Sequence, residues 1–429
     1  MRYQVEKSSL SGSLTVTASK SHTMRAVLLA SMAKGRSLVR HPLASPDTVA
    51  MITACSALGA KIEEKEDALI IEGVAGRPAV PSQVIDVGNS GQVLRFGAAM
   101  AALLPLYSIF TGDASVRAIR PMNPLLEALT QLGAFAVSSK NDGHAPVIIR
   151  GPVRAGTVVM EGMDSQPVSA VLMLAGFLPG VTAIQVKNPG EQPWIDLTLY
   201  WLDKMGIGHT NDNYLRYTVQ GRDNPEFAPF DYTVPGDWSS AAFPVAAALV
   251  TNSSLQLNNM DIHDPQGDKA VLEMFRAMGA RIVVDDQAKT VLVQRHGGLH
   301  GTNINVNAAI DAVPVLAAVA CFAGGSTVIT GASIARHKES DRLAAISAEL
   351  GKMGAKIEEF EDGLTIHPSV LHGAQVDSRH DHRIAMSLAV AALAAGGASI
   401  SDTDCVAKSF PGFAAAMRGV GAAITEQPE

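Results

Sequence analysis

The chain has 429 residues, 47% apolar and 17% charged, with a formal net charge of −7. That length exceeds one ordinary hydrophobic core, and the composition excludes a disordered chain. The acidity argues against a nucleic-acid partner, since nucleic-acid-binding domains are basic. Cys55, Cys321 and Cys405 lie far apart; they form neither a zinc pattern nor a disulfide framework and suit a reducing cytoplasm. The start, MRYQVEKSSLSGSL, lacks the apolar core of a signal peptide. Apolar runs such as 312–323 fall short of the roughly 20 residues of a membrane span.

Residues 1–18 read as strand, and a small-residue apolar helix follows from Ser21 (SHTMRAVLLASMAKG). Leu58-Gly59 closes a second helix, because glycine takes the left-handed C-terminal conformation without a side-chain clash. Alternating stretches at 61–64 and 68–72, either side of Glu66-Asp67, predict strand, turn, strand. The same signals return five times. Apolar helices start at Ser90, Ser165, Ser239, Asp311 and Asp381, and helix-closing glycines stand at 133, 206, 279, 354 and 421. Serine and aspartate are read as N-caps, and the Ala-rich faces predict buried helices. A solenoid is the competing architecture, but its repeats usually run about 20–50 residues. The sixth unit, 380–429, is short, and residues 1–18 supply the missing length. Three units per domain follow, with domains at 20–235 and at 1–19 plus 236–429.

Each helix start presents unpaired N–H groups and about half a positive charge, which draws anions. In Ser19–Arg25, Ser21 and Arg25 share a helical face with Lys20 beside them. Cations there oppose the helix dipole, and a bound anion removes the conflict; a solvated first turn is the alternative. Val87-Gly88-Asn89-Ser90-Gly91 can expose backbone N–H groups to a phosphate or carboxylate. Arg120 precedes proline and is expected to be extended, as a cleft residue or equally as an ordinary surface arginine. In Arg336–Leu343, Lys338 and Arg342 are expected to stack four apart on a helix, with an anion between them. Glu339 would lie roughly 100° round that helix as an acid or base, and Asp341 would partner an arginine. His380-Asp381-His382 lacks a third ligand and is not read as a metal site; Arg383 is the better feature, as an anion clamp. Lys408 stands in an apolar stretch, and Cys405 reads as a buried small hydrophobe.

In order, SKSHTMR, GNSG, GD…RPM, SQ before an apolar helix, GDWSSA, KESDR, DHRIAM and CVAKSFP resemble the 5-enolpyruvylshikimate-3-phosphate synthase family over essentially the whole chain. The resemblance implies an α/β fold of two similar domains, each of three βαβαββ units (an inside-out α/β barrel), with the active site in the interdomain cleft. It implies transfer of the enolpyruvyl group of phosphoenolpyruvate to the 5-hydroxyl of shikimate 3-phosphate, with phosphate released, in chorismate and aromatic amino-acid biosynthesis. No metal or organic cofactor is implied. By motif, Lys20 touches both substrates and aids proton transfer. Ser21, Arg25, Ser165, Gln166, Asp311 and Lys338 hold shikimate 3-phosphate. Asn89, Gly91, Arg120, Gln166, Arg342, Arg383 and Lys408 hold phosphoenolpyruvate. Asp311 takes the hydroxyl proton, and Glu339 handles the proton at the methylene carbon. A cytoplasmic monomer with small-molecule partners only, and no membrane or nucleic acid, is expected.

The family pattern is broken at Gln92, Val93 and Phe96, which predicts altered affinity for phosphoenolpyruvate and for glyphosate. Asp164 and Glu191 replace family serines and are expected to turn away from a bound phosphate or to mark altered handling of it. Trp194 is expected against the ring, and Ile334 replaces an asparagine. Two rivals are UDP-N-acetylglucosamine 1-carboxyvinyltransferase, whose Lys-Asn start is Lys20-Ser21 here, and a non-catalytic anion-binding module.

Overall fold

Each of the six helix-closing glycines adopts a positive φ, from +66° at Gly206 to +103° at Gly59 and Gly421. A side chain would be strained there, and the backbone reverses into a strand instead of extending the helix. The computed structural model describes residues 1–294 and 297–429. In it, Lys61–Lys65 and Ala68–Val74 follow Gly59 as an antiparallel pair that closes at Lys65↔Ala68. Equivalent pairs follow Gly133, Gly206, Gly279 and Gly354. After Gly421 comes Ala423–Gln427, whose antiparallel partner is Arg2–Glu6.

Six four-stranded sheets share one plan: a parallel pair at one edge, then two antiparallel neighbours. In one, Thr157–Glu161 runs parallel to Val181–Lys187, which pairs with Arg216–Gln220, which pairs with Gly208–Asp212. Residues 1–18 do not all join the last sheet as expected. Arg2–Glu6 does, between Ala398–Ser401 and Ala423–Gln427, but Ser13–Thr15 pairs parallel to Leu255–Asn258 in another sheet. In the same manner Asp231–Thr233 pairs back onto Lys34–Arg40. Two compact units result, Ala18–Val234 and Met1–Thr17 with Pro235–Glu429, of three sheets each.

Helices Lys20–Met32, Gly91–Ala101 and Ser165–Ala175 are buried along almost their whole length in one unit. Trp238–Val250, Val313–Ala320 and His382–Ala395 are their counterparts in the other. Small side chains on every face let these helices approach one another inside the sheets, and no polar stripe is left for solvent. Each fully buried large apolar side chain stabilises its unit by about 1.5–3 kcal/mol. Among the described residues no helix is long and apolar enough to cross a membrane.

Ser90 and Asp381 cap their helices as expected. Elsewhere the cap lies one or two residues earlier, at Ser19, Asp164 and Asp237. Those residues have the extended backbone a cap requires, and each accepts from a first-turn N–H. Ser21, Ser165 and Ser239 therefore stand inside the first turn, with hydroxyls not spent on capping. Asp311 caps nothing: it lies in the 3-10 turn Asn307–Ala312.

Candidate active site

In unit Ala18–Val234 most of the side chains singled out by the motifs stand at or near the starts of the three buried helices, with Arg120 in the segment between helices Ala114–Ala118 and Asn123–Gln131. Lys20 Nζ is 3.8 Å from Asp47 Oδ2. Arg25 lies on the same helix, wholly buried. Its Nε and Nη2 donate to Thr198 Oγ1 at 3.1 and 2.9 Å, and its Nη1 donates to the Ser21 carbonyl at 3.2 Å. The guanidinium lies 5.2 Å from the Phe96 ring centroid. Burial lowers its pKa to about 9. It stays cationic at neutral pH, and no carboxylate among the described residues offsets its charge. Gln92 Nε2 reaches Ser21 Oγ at 3.4 Å, and Gln92 Oε1 is buried with no partner.

Gly91 opens the second helix against two guanidinium groups. A Cβ there would lie 2.6 Å from Arg120 Nη1 and 2.9 Å from Arg95 Nη1, so a side chain would have to push both guanidinium groups aside. Arg120 is buried, not a surface residue, and donates to Asn89 Oδ1 at 3.2 Å. Asn89 in turn donates to Asp113 and Ser115. Burial would raise the Asp113 pKa, but hydrogen bonds from Asn89, Val116 N–H and Ser115 hold it below the usual range. Arg95 donates to Gln166 Oε1 at 2.8 Å and pairs with Asp164 at 3.1 Å. Glu191 is bonded to Ser165: its Oε2 accepts both the Ser165 hydroxyl, at 3.0 Å, and the Ser165 N–H, at 2.9 Å. The two acids are thus tied to the residues expected to hold substrate.

In the other unit Arg342 is the hub. It donates to Asp381 Oδ2 at 2.8 Å, Asp311 Oδ1 at 2.6 Å and Glu339 Oε2 at 2.7 Å. Burial opposes its charge, but those three carboxylates outweigh burial and raise its pKa. Arg383 Nη2 holds Asp311 Oδ2 at 2.7 Å and Ser239 Oγ at 3.0 Å. Lys408 Nζ holds Glu339 Oε1 at 2.8 Å. Asp311, Glu339, Arg342, Arg383 and Lys408 are therefore one network, with the three cations buried and the two carboxylates partly exposed. Lys338 is not stacked on Arg342: the helix begins at Arg342, capped by Asp341, so Lys338 and Glu339 precede it on non-helical backbone. Asp341 also partners Arg336, at 3.0 Å.

The motifs did not single out Arg95, although it lies four residues after Gly91 and so on the same face. Asp237, which caps a helix and takes the Ser239 hydroxyl, was also unassigned. Burial raises Cys55, Cys321 and Cys405 to about 12, so none is a thiolate at neutral pH. Cys405 is half-buried rather than buried. Among the described residues no group of three or more His, Cys, Asp or Glu side chains could hold a metal ion.

Clusters of cations and carboxylates at and near helix starts, one in each three-sheet unit, mark an α/β enzyme of anionic substrates. The family model EPSP synthase (3-phosphoshikimate 1-carboxyvinyltransferase) matches residues 5–417, and the chain belongs to this family. It is 41% identical to the 3-phosphoshikimate 1-carboxyvinyltransferase of Acetivibrio thermocellus over 99% of both chains. It is also 41% identical to that of Methanocella arvoryzae, over 98% of this chain and 99% of the relative. Among solved structures, EPSP synthase from Acinetobacter baumannii matches with a TM-score of 0.83 and 27% identity, over 99% of this chain and 100% of that one. The enolpyruvyl transferase NikO from Streptomyces tendae shares the fold, with a TM-score of 0.79 at 18% identity.

Proposed function

We propose that the two clusters serve one reaction, with the residues in the roles their motifs imply. The reaction is that of the family: the chain is a transferase that moves the enolpyruvyl group of phosphoenolpyruvate to shikimate 3-phosphate in aromatic amino-acid biosynthesis. The 5-hydroxyl oxygen bonds to the enol carbon while a proton adds to the methylene, giving a tetrahedral intermediate. The bond to phosphate then breaks, and a methyl proton leaves to restore the double bond. Arg25, Ser21, Ser165, Gln166 and Lys338 hold shikimate 3-phosphate. Arg120, Asn89, Gly91, Gln166, Arg342, Arg383 and Lys408 hold phosphoenolpyruvate. Lys20 touches both.

Asp311 takes the hydroxyl proton and Glu339 serves the methylene carbon. Both Asp311 oxygens accept from guanidinium groups, which takes up one lone pair of each and fixes the carboxylate's orientation. Anionic substrate oxygens compete for the same donors, and binding of phosphoenolpyruvate frees Asp311 to act. The single observation that carries this reading is the Arg342–Asp311–Arg383 linkage beside Glu339–Lys408. A monomer acting in the cytoplasm on small molecules completes the proposal; the three free thiols and the net acidity support it.

The test is phosphate release from the purified chain given both substrates. Release that requires both is expected, with Lys20→Met and Asp311→Asn each slowing turnover at least about 100-fold while the chain stays folded. Variants turning over at the parent rate would remove these residues from the chemistry.

A further inference from the structure

Asp268 lies outside every motif used so far. It sits in the 3-10 turn Gly267–Ala270, 2% exposed, and no other residue gives either carboxyl oxygen a hydrogen bond. The preceding residue fixes the turn in place. Gln266 Oε1 accepts from Trp238 N–H at 3.0 Å and Nε2 donates to the Gly236 carbonyl at 2.9 Å, which ties the turn to the helix start bearing Asp237 and Ser239. Asp311, Arg383 and Asp237 are the charged groups whose fields act most strongly on Asp268. Lys269 is turned away, its Nζ on the carbonyls of Ile262 and Asp264.

Arg383 has the complementary deficit. Its Nη2 is committed to Asp311 and Ser239, and its Nε is buried without an acceptor. A buried donor and a buried acceptor of opposite charge, electrostatic neighbours and both unmatched, relieve each other most directly by pairing.

We propose that Asp268 is a positioning residue for Arg383, a rear counter-ion that accepts from the guanidinium Nε and leaves both Nη groups to the ligand's anionic oxygens. The proposal rests on the reading that Arg383 holds phosphoenolpyruvate. It also explains how Arg383 can release Asp311 without losing its orientation: the anchor passes from the front carboxylate to the rear one. Burial, reinforced by Asp311 and Asp237 and opposed by Arg383, raises the Asp268 pKa well above the carboxylate range. The anchor is therefore present on the alkaline side of that raised value and lost as pH falls through it.

The test compares Asp268→Asn with the parent chain across pH. The ratio of KM for phosphoenolpyruvate, variant over parent, should be roughly tenfold at alkaline pH and approach one in acid, with KM for shikimate 3-phosphate unmoved. A ratio of one throughout, or one that is constant with pH, overturns the proposal. Arg383→Gln separates the two layers. If it raises KM for phosphoenolpyruvate while Asp268→Asn does not, only the rear anchor fails; if it has no effect, the reading of Arg383 fails. Should Asp268→Asn not fold, a crystal structure of the parent chain with shikimate 3-phosphate and glyphosate decides. Arg383 Nε donating to Asp268 is expected, and Nε bonded to another group overturns it.

Discussion

Arg342 holds three carboxylates at once. Removing one partner of a buried ion pair costs about 3–5 kcal/mol, because the charges left behind have lost both water and counter-ion. Arg342→Met is accordingly expected to destabilise its unit by about that amount in denaturant melts. The pH dependence follows from the same groups. In the variant Asp381 would lose its guanidinium, while Asp311 would keep only Arg383 and Glu339 only Lys408, so the charge left uncompensated is felt only where these carboxylates are ionised. Stability tied to a raised pKa is present below the unfolded value and lost as pH rises through the folded one. The deficit should therefore be small in acid and full at neutral pH; a deficit that does not change with pH would show that the three carboxylates find other donors. The sequence shows that lysines, arginines and carboxylates recur at helix starts, but not which acid meets which base. The expected Lys338–Arg342 stack fails because Asp341 caps the helix and ends its reach at Arg342. Glu191 and Asp268 carry no spacing signal, since each acts through a partner far along the chain or electrostatically.

The helices and turns separate backbone strain from packing cleanly at two glycines. Gly133 has φ +100° and nothing within 4 Å of an added Cβ, so only conformation opposes a side chain. Gly351 lies within helix Arg342–Lys352, also with open space. Gly133→Ala should cost about 1–2 kcal/mol, and Gly351→Ala should stabilise by about 0.5–1 kcal/mol, as read by thermal melts. Effects of equal sign would contradict the assignment of the repeated glycine as a turn residue. These elements were legible because their signals are local: a glycine after an apolar helix and alternation over five residues. The three-residue strand Asp231–Thr233, and the sheet that Ser13–Thr15 joins, were not, because so short a strand has no period to read and its place is defined by the sheet that accepts it.

At the scale of the molecule, strands distant in sequence close each unit. Arg2–Glu6 is an interior strand, laddered on both sides, and Val5 is fully buried. Deleting residues 1–6 should therefore strip hydrogen-exchange protection from Ala398–Ser401 and Ala423–Gln427 while leaving Ala18–Val234 protected. Unchanged protection would mean that the strand is dispensable. The central claim is that cations from both units act on one substrate. Its most direct test is the dissociation constant of phosphoenolpyruvate, measured with shikimate 3-phosphate present, for Arg120→Gln in one unit and Arg383→Gln in the other. Loss of a charged hydrogen bond worth about 1.5–3 kcal/mol predicts that each variant weakens binding at least roughly tenfold. Full affinity in either variant would confine the ligand to a single unit and contradict the account.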